Sequence, residues 1–139
     1  MAIAPTTDML AMYEQMLLIR VFETEAERQY KAARIGGYCH LSSGQEATCV
    51  GVVDAMDDDD LLVTGYRSHG FALARGTSPE AVMAELFGRR DGCAHGRGGS
   101  MHLLDTDRGY YGGWASSAVN SRSRRGSRWR LYASPSRRP

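Results

Sequence analysis

The sequence predicts an α/β fold, truncated, in which helices surround the first strand of a parallel sheet. Three observations carry this. Apolar residues recur at helical spacing in three segments, one short apolar run lies between turn signals, and after Trp114 the text changes abruptly to arginine and serine. The 139 residues suffice for one small domain and are few for a chain that must enclose a large cofactor.

From Thr7 to about Arg34, Met9, Met12, Met16, Ile19, Phe22, Ala26 and Tyr30 recur at three- and four-residue steps, with Glu14, Arg20, Glu27 and Lys31 between them. That spacing predicts a long amphipathic helix whose methionine and aromatic stripe faces a core or subunit interface. Gly36 and Gly37 are expected to end it. In the next helix Ser43 and Glu46 have the spacing of a capping box, so any functional reading of Glu46 competes with that role. Asp57 to Asp60 read as a solvated loop. Leu61 to Thr64 then form a short buried strand that delivers the chain to "GYRSHG". A third helix begins at "TSPE", with Ser78 as cap and Pro79 in its first turn; Val82, Met83, Leu86 and Phe87 line one side, and Gly88 stops it.

After Gly88 comes a long glycine-rich stretch with two histidines, of a kind that is either functional or disordered. Within it "GRGGSMH" offers clustered backbone donors, a candidate anion nest or simply a flexible loop. Tyr66, Arg67 and His69 follow the strand directly, where α/β folds place ligands. A guanidinium there suits a phosphate and a phenol ring suits an aromatic group. Position alone leaves equally open the plain alternative, an arginine paired with a carboxylate and a surface histidine.

The net charge of +1 hides an asymmetry. Residues 1–114 hold all sixteen acidic residues against ten basic ones, and residues 115–139 add seven arginines. Lys31 is the only lysine, a bias expected of GC-rich coding DNA. Cys39, Cys49 and Cys93 form no CxxC pair, and no long apolar run is present, so a reducing cytoplasm and no membrane span are expected. Cys93, His95 and His102 match no common zinc spacing.

Taken in order and spacing, "YCHLSSGQEA", "TGYRSHGFALARG", "AELFGR", "GRGGSMH" and "YYGG" resemble the amino-terminal third of the alpha subunit of thiamine-diphosphate-dependent 2-oxo acid dehydrogenases of the pyruvate dehydrogenase type. The resemblance runs from about Met9 to Trp114. It implies a thiamine-diphosphate-binding fold, and oxidative decarboxylation of pyruvate with acetyl transfer to a lipoyl group. Branched 2-oxo acid and acetoin dehydrogenases remain alternatives. It also implies a heterotetramer of two alpha and two beta subunits, served by a lipoyl-bearing acyltransferase. By motif, Tyr66 and Arg67 would bind thiamine diphosphate, with Arg67 toward the diphosphate, and His40 and His69 would be catalytic, lining the site beside the 2-oxo acid. The glutamate that activates the cofactor belongs to the beta subunit in this family, so the chain alone is expected to be inactive. After "YYGG" the family continues into a segment contacting the cofactor and then to the residues that hold magnesium. None of these is present here, so no residue of this chain is expected to ligate the metal.

Residues 115–139 are explained by codons. With GCN for alanine, TCN for serine and CGN for arginine, reading one base earlier permits "GIVGGQLPLAAGLALA", close to the family's continuation. The expectation is therefore a fragment, residues 1–114, followed by an out-of-frame, disordered Arg/Ser tail, residues 115–139, one base being missing after the Trp114 codon. A reading from another class makes the body a docking module whose basic tail contacts nucleic acid, with Trp129 and Tyr132 stacking on bases. GC-rich DNA read out of frame produces the same composition without selection, which disfavours nucleic acid as a partner. With a single strand to cover the helices, a partly folded and aggregation-prone species is expected.

Overall fold

A computed structural model describes residues 8–114, so the expectations for the tail, its disorder and its nucleic-acid contacts, lie outside the described residues. Helix α1 spans Met9–Lys31, α2 Glu46–Asp54, α3 His69–Ala74 and α4 Pro79–Leu86; strand β1 is Leu62–Gly65 and β2 is Tyr110–Trp114. The strands pair in parallel, Leu62 opposite Tyr110 and Gly65 opposite Trp114. Parallel pairing requires a long crossover, and the chain between them supplies α3, α4 and two 3-10 turns, Gly99–Met101 and Thr106–Arg108. The α/β class and the parallel sheet agree with the sequence, but a second strand closes what the sequence gives as irregular. "YYGGW" lacks the β-branched residues that advertise a strand. Two steps along β1 match three along β2, and Gly112, at φ +101°, takes the backbone conformation this bulge needs.

Helix α1 buries Ile19, Phe22 and Ala26, the middle of the anticipated stripe. Its ends differ: Met9 is 80 % exposed, Met12 and Met16 are half-buried, and Tyr30 faces solvent. Two polar residues, Glu23 and Gln29, take places on the buried face. The helix does not run on to the glycine pair. Ala33 adopts a left-handed conformation at φ +56°, its N–H donates to the Tyr30 carbonyl, and that of Arg34 donates to Gln29. That is a Schellman closure on alanine, at a backbone cost of about 1 kcal/mol. Helices α3 and α4 close in the same way with Gly76 and Gly88, the residue type the conformation favours.

Ser78 caps α4 as expected, its hydroxyl accepting the Ala81 N–H at 3.1 Å. The capping box at α2 does not form. Gln45 stands at the cap without a side-chain bond, and Glu46 accepts from the Gly44 N–H at 3.0 Å and from Arg20 Nε at 2.6 Å. The charged Arg20 guanidinium on α1 and the Gly44 N–H take the carboxylate that a capping box would turn back to the Ser43 backbone N–H. Where α2 and α3 cross, a Cβ on Gly70 would sit 2.7 Å from Cys49 Sγ, so the close approach requires glycine. Arg75 fastens the sheet's entry, donating to the carbonyls of Asp58, Asp60 and Arg108. Tyr110 lies fully buried, its hydroxyl 3.0 Å from Thr64 Oγ1, and burial pushes its pKa up to about 12.

The Arg20 hydrogen bond holds the Glu46 carboxyl down at about 2, against an ordinary 4.5. Because the folded value is the depressed one, the pair's contribution to stability is complete above about pH 4.5 and disappears as the pH falls toward 2. Arg20→Ala is expected to return Glu46 toward ordinary titration and flatten that acid limb. Carboxyl carbon NMR against pH checks it, and an unchanged Glu46 titration would refute the assignment.

Candidate functional site

The carboxyl end of β1 releases Tyr66 and Arg67 onto the surface before Ser68 turns the chain into α3. The segment from Tyr38 to Ser42 arrives alongside. The His40 ring packs 4.8 Å from that of Tyr66 and lies parallel to that of Tyr38 at 6.1 Å. The Arg67 guanidinium stands 5.9 Å from the Tyr66 ring centre, and one of its nitrogens donates to the Leu41 carbonyl. This carbonyl is the guanidinium's one hydrogen-bond acceptor among the described residues, so several of its donors remain available at an exposed position. No carboxylate pairs with it there, which favours the ligand-facing alternative over the plain ion pair.

His69 sits one helical step behind and has no exposed surface. Its Nδ1 lies 3.1 Å from both carboxylate oxygens of Glu23, itself fully buried, and its Nε2 lies 2.8 Å from Ser100 Oγ. Phe22 packs against the ring edge-on. The structure therefore brings Tyr66, Arg67 and His40 together at the surface and sets His69 beneath them. Glu23 and Ser100 escape sequence reading because their partners are 46 and 31 residues from them in the chain. A glutamate in the apolar stripe of α1 is the signal that could have found the first.

The glycine-rich loop is not loose, and the nest its donors form is filled from within the chain. The fully buried Glu85 carboxylate accepts the backbone N–H groups of Ala94 (2.8 Å), Gly96 (2.8 Å), Gly98 (2.6 Å) and Gly99 (3.2 Å). The clustered donors are real, but the anion they hold is the protein's own. A Cβ on Gly96 would meet the backbone of Gly88 and Arg89 at 2.7 Å, so the loop also needs its glycine to pack. His95 Nδ1 lies 3.4 Å from the Arg90 carbonyl and His102 Nδ1 lies 3.1 Å from that of Gly113. Among the described residues no group of three or more His, Cys, Asp or Glu side chains could hold a metal ion. No helix among them is long and apolar enough to cross a membrane.

Residues 14–124 match the model of the dehydrogenase E1 component, and the chain belongs to that family. It is 51 % identical over 106 residues to the alpha subunit of the pyruvate dehydrogenase E1 component of Rhizobium meliloti, a match covering 76 % of this chain and 30 % of that protein. Against the mitochondrial alpha subunit of Saccharomyces cerevisiae it is 50 % identical, covering 76 % and 24 %, and against the somatic mitochondrial form of Bos taurus 47 %, covering 76 % and 27 %. The matches thus span roughly a quarter to a third of these relatives' length.

Glu85→Ala would leave four backbone donors without their acceptor, and a loss of at least about 2 kcal/mol in unfolding free energy is expected. Hydrogen exchange should accelerate at residues 94, 96, 98 and 99 ahead of the rest of the chain. Unaltered exchange at these amides would show that the loop is held by something else.

Proposed function

We propose that this chain is the amino-terminal part of an alpha subunit that acts, with a beta subunit, in the oxidative decarboxylation of pyruvate and transfer of the acetyl group to a lipoyl-bearing acyltransferase. Family membership supports the reaction class, and the similarity to pyruvate dehydrogenase alpha subunits favours pyruvate over branched 2-oxo acids or acetoin. The observation that supports the reading for this chain is the Tyr66, Arg67 and His40 cluster at the end of β1, where the guanidinium meets no carboxylate among the described residues.

The cluster fits the implied cofactor in part. An exposed guanidinium suits the diphosphate of thiamine diphosphate, and the Tyr66 ring beside it suits the flat organic portion. When bound, the cofactor supplies the electron sink for loss of carbon dioxide. The chain's own residues would bind and orient. Arg67 would hold the diphosphate, Tyr66 would brace the neighbouring group, and His40 would present a ring nitrogen toward the 2-oxo acid. His69, catalytic by resemblance, would act from behind His40, because its ring is enclosed. A cytoplasmic setting is in keeping with three cysteines that are all unbridged.

Titration of thiamine diphosphate with magnesium into the chain mixed with its beta subunit tests the site. Arg67→Ala is expected to weaken binding by roughly ten- to a hundredfold, the range for a lost charge-assisted hydrogen bond. Equal affinity would remove Arg67 from the diphosphate. For residues 115–139 we retain the out-of-frame reading. Genomic resequencing from the Gly112 codon to that of Pro139 should show one further base after Trp114, and an unbroken short reading would overturn it.

A further inference from the structure

We propose that Glu23, His69 and Ser100 act together as positioning residues, an internal strut that fixes where His40 stands against Tyr66. Three separate elements contribute to it: α1, α3 and the 3-10 turn at Gly99–Met101. Ser100 Oγ accepts the backbone N–H of His40 at 2.9 Å and lies 2.8 Å from His69 Nε2. Glu23 Oε1 accepts the backbone N–H of Ser42 at 2.9 Å, and Ser42 Oγ accepts that of Gly70 at 3.3 Å. The short segment carrying His40 therefore hangs from the buried network at two backbone points, while its ring rests at the surface between Tyr38 and Tyr66.

Counting protons fixes the order of the strut. The Glu23 carboxylate oxygens face Nδ1, so Nδ1 carries hydrogen, since a bare nitrogen lone pair there would oppose them. With the imidazole neutral, Nε2 then accepts the Ser100 O–H, and a Ser100 lone pair accepts the His40 N–H. Every donor in this chain of contacts has an acceptor, as burial demands. In the opposite tautomer Nε2 would donate to Ser100, and Nδ1 would face a carboxylate with nothing to offer it.

The inference rests on the proposed function only for what His40 faces. The first test needs no cofactor. Nitrogen NMR of the histidine-labelled 139-residue chain should show His69 protonated at Nδ1 with Nε2 unprotonated. Amide exchange at His40 should accelerate at least about tenfold in Ser100→Ala, the scale of one lost hydrogen bond, and the His40 and Tyr66 ring resonances should move. Exchange at Ala94 and Gly98 should not change, and Ser100→Thr, which keeps the hydroxyl, should restore much of the His40 protection. An Nε2-protonated His69 in the unsubstituted chain, a chain without a resolved His40 amide, or unchanged His40 exchange in Ser100→Ala would each overturn the strut. With the beta subunit and cofactor present, Ser100→Ala should lower kcat more than it raises KM. If the unsubstituted mixture binds no thiamine diphosphate while the tautomer and exchange results hold, the strut stands and only the functional reading fails.

Discussion

A carboxylate withdrawn from water is stable only when its lone pairs are used, and the described part of this chain is organised around that requirement. Glu23 and Glu85 have no exposed surface, and each accepts hydrogen bonds from parts of the chain distant in sequence. Glu23 draws α1, the His40 to Ser42 segment and the start of α3 into one cluster. Glu85 gathers a loop that has little apolar surface of its own. Apolar burial sets the helices against each other, but it is non-directional and would tolerate sliding. The carboxylates remove that freedom, because a hydrogen bond at 2.6–3.1 Å has no equivalent a residue further along.

This division of labour separates what is held from what is offered. The buried network uses its donors and acceptors on itself, leaving Tyr66, Arg67 and His40 at the rim with capacity toward solvent. An exposed arginine with a single backbone acceptor is costly to order unless something else benefits, and its place at the end of a parallel strand is where α/β folds put ligands. Rim and network are joined through the backbone of His40 and Ser42, whose N–H groups donate to Ser100 and Glu23.

The sequence disclosed whatever depends on neighbouring residues. The periodicity of α1, the apolar run of β1, and the cap and stop of α4 at Ser78 and Gly88 are local signals, and the structure bears them out. Hidden features depend on distant partners or on conformations that composition disfavours. Ala33 closes α1 where the glycines beyond it advertised the end, and Glu46 answers Arg20 on another helix in place of Ser43 nearby. Strand β2 is hidden by its two glycines, which carry no side chain to pack and break the alternation that its aromatic residues would otherwise show. The resemblance names Tyr66, Arg67, His40 and His69, of which the structure sets the first three side by side and His69 beneath them, whereas Glu23 and Ser100 have no motif to carry them.

The loop closed on Glu85 has one more property. Phosphate-cradling loops in other proteins exchange their anion with solvent, and their shape follows the supply of that anion. Here the counter-ion is covalently part of α4 and cannot diffuse away, so the cradle's filling follows the folding of the chain and not the supply of an anion in solution. Being buried, the contact is screened by salt much less than an exposed one would be, and it ties α4 to the approach to β2.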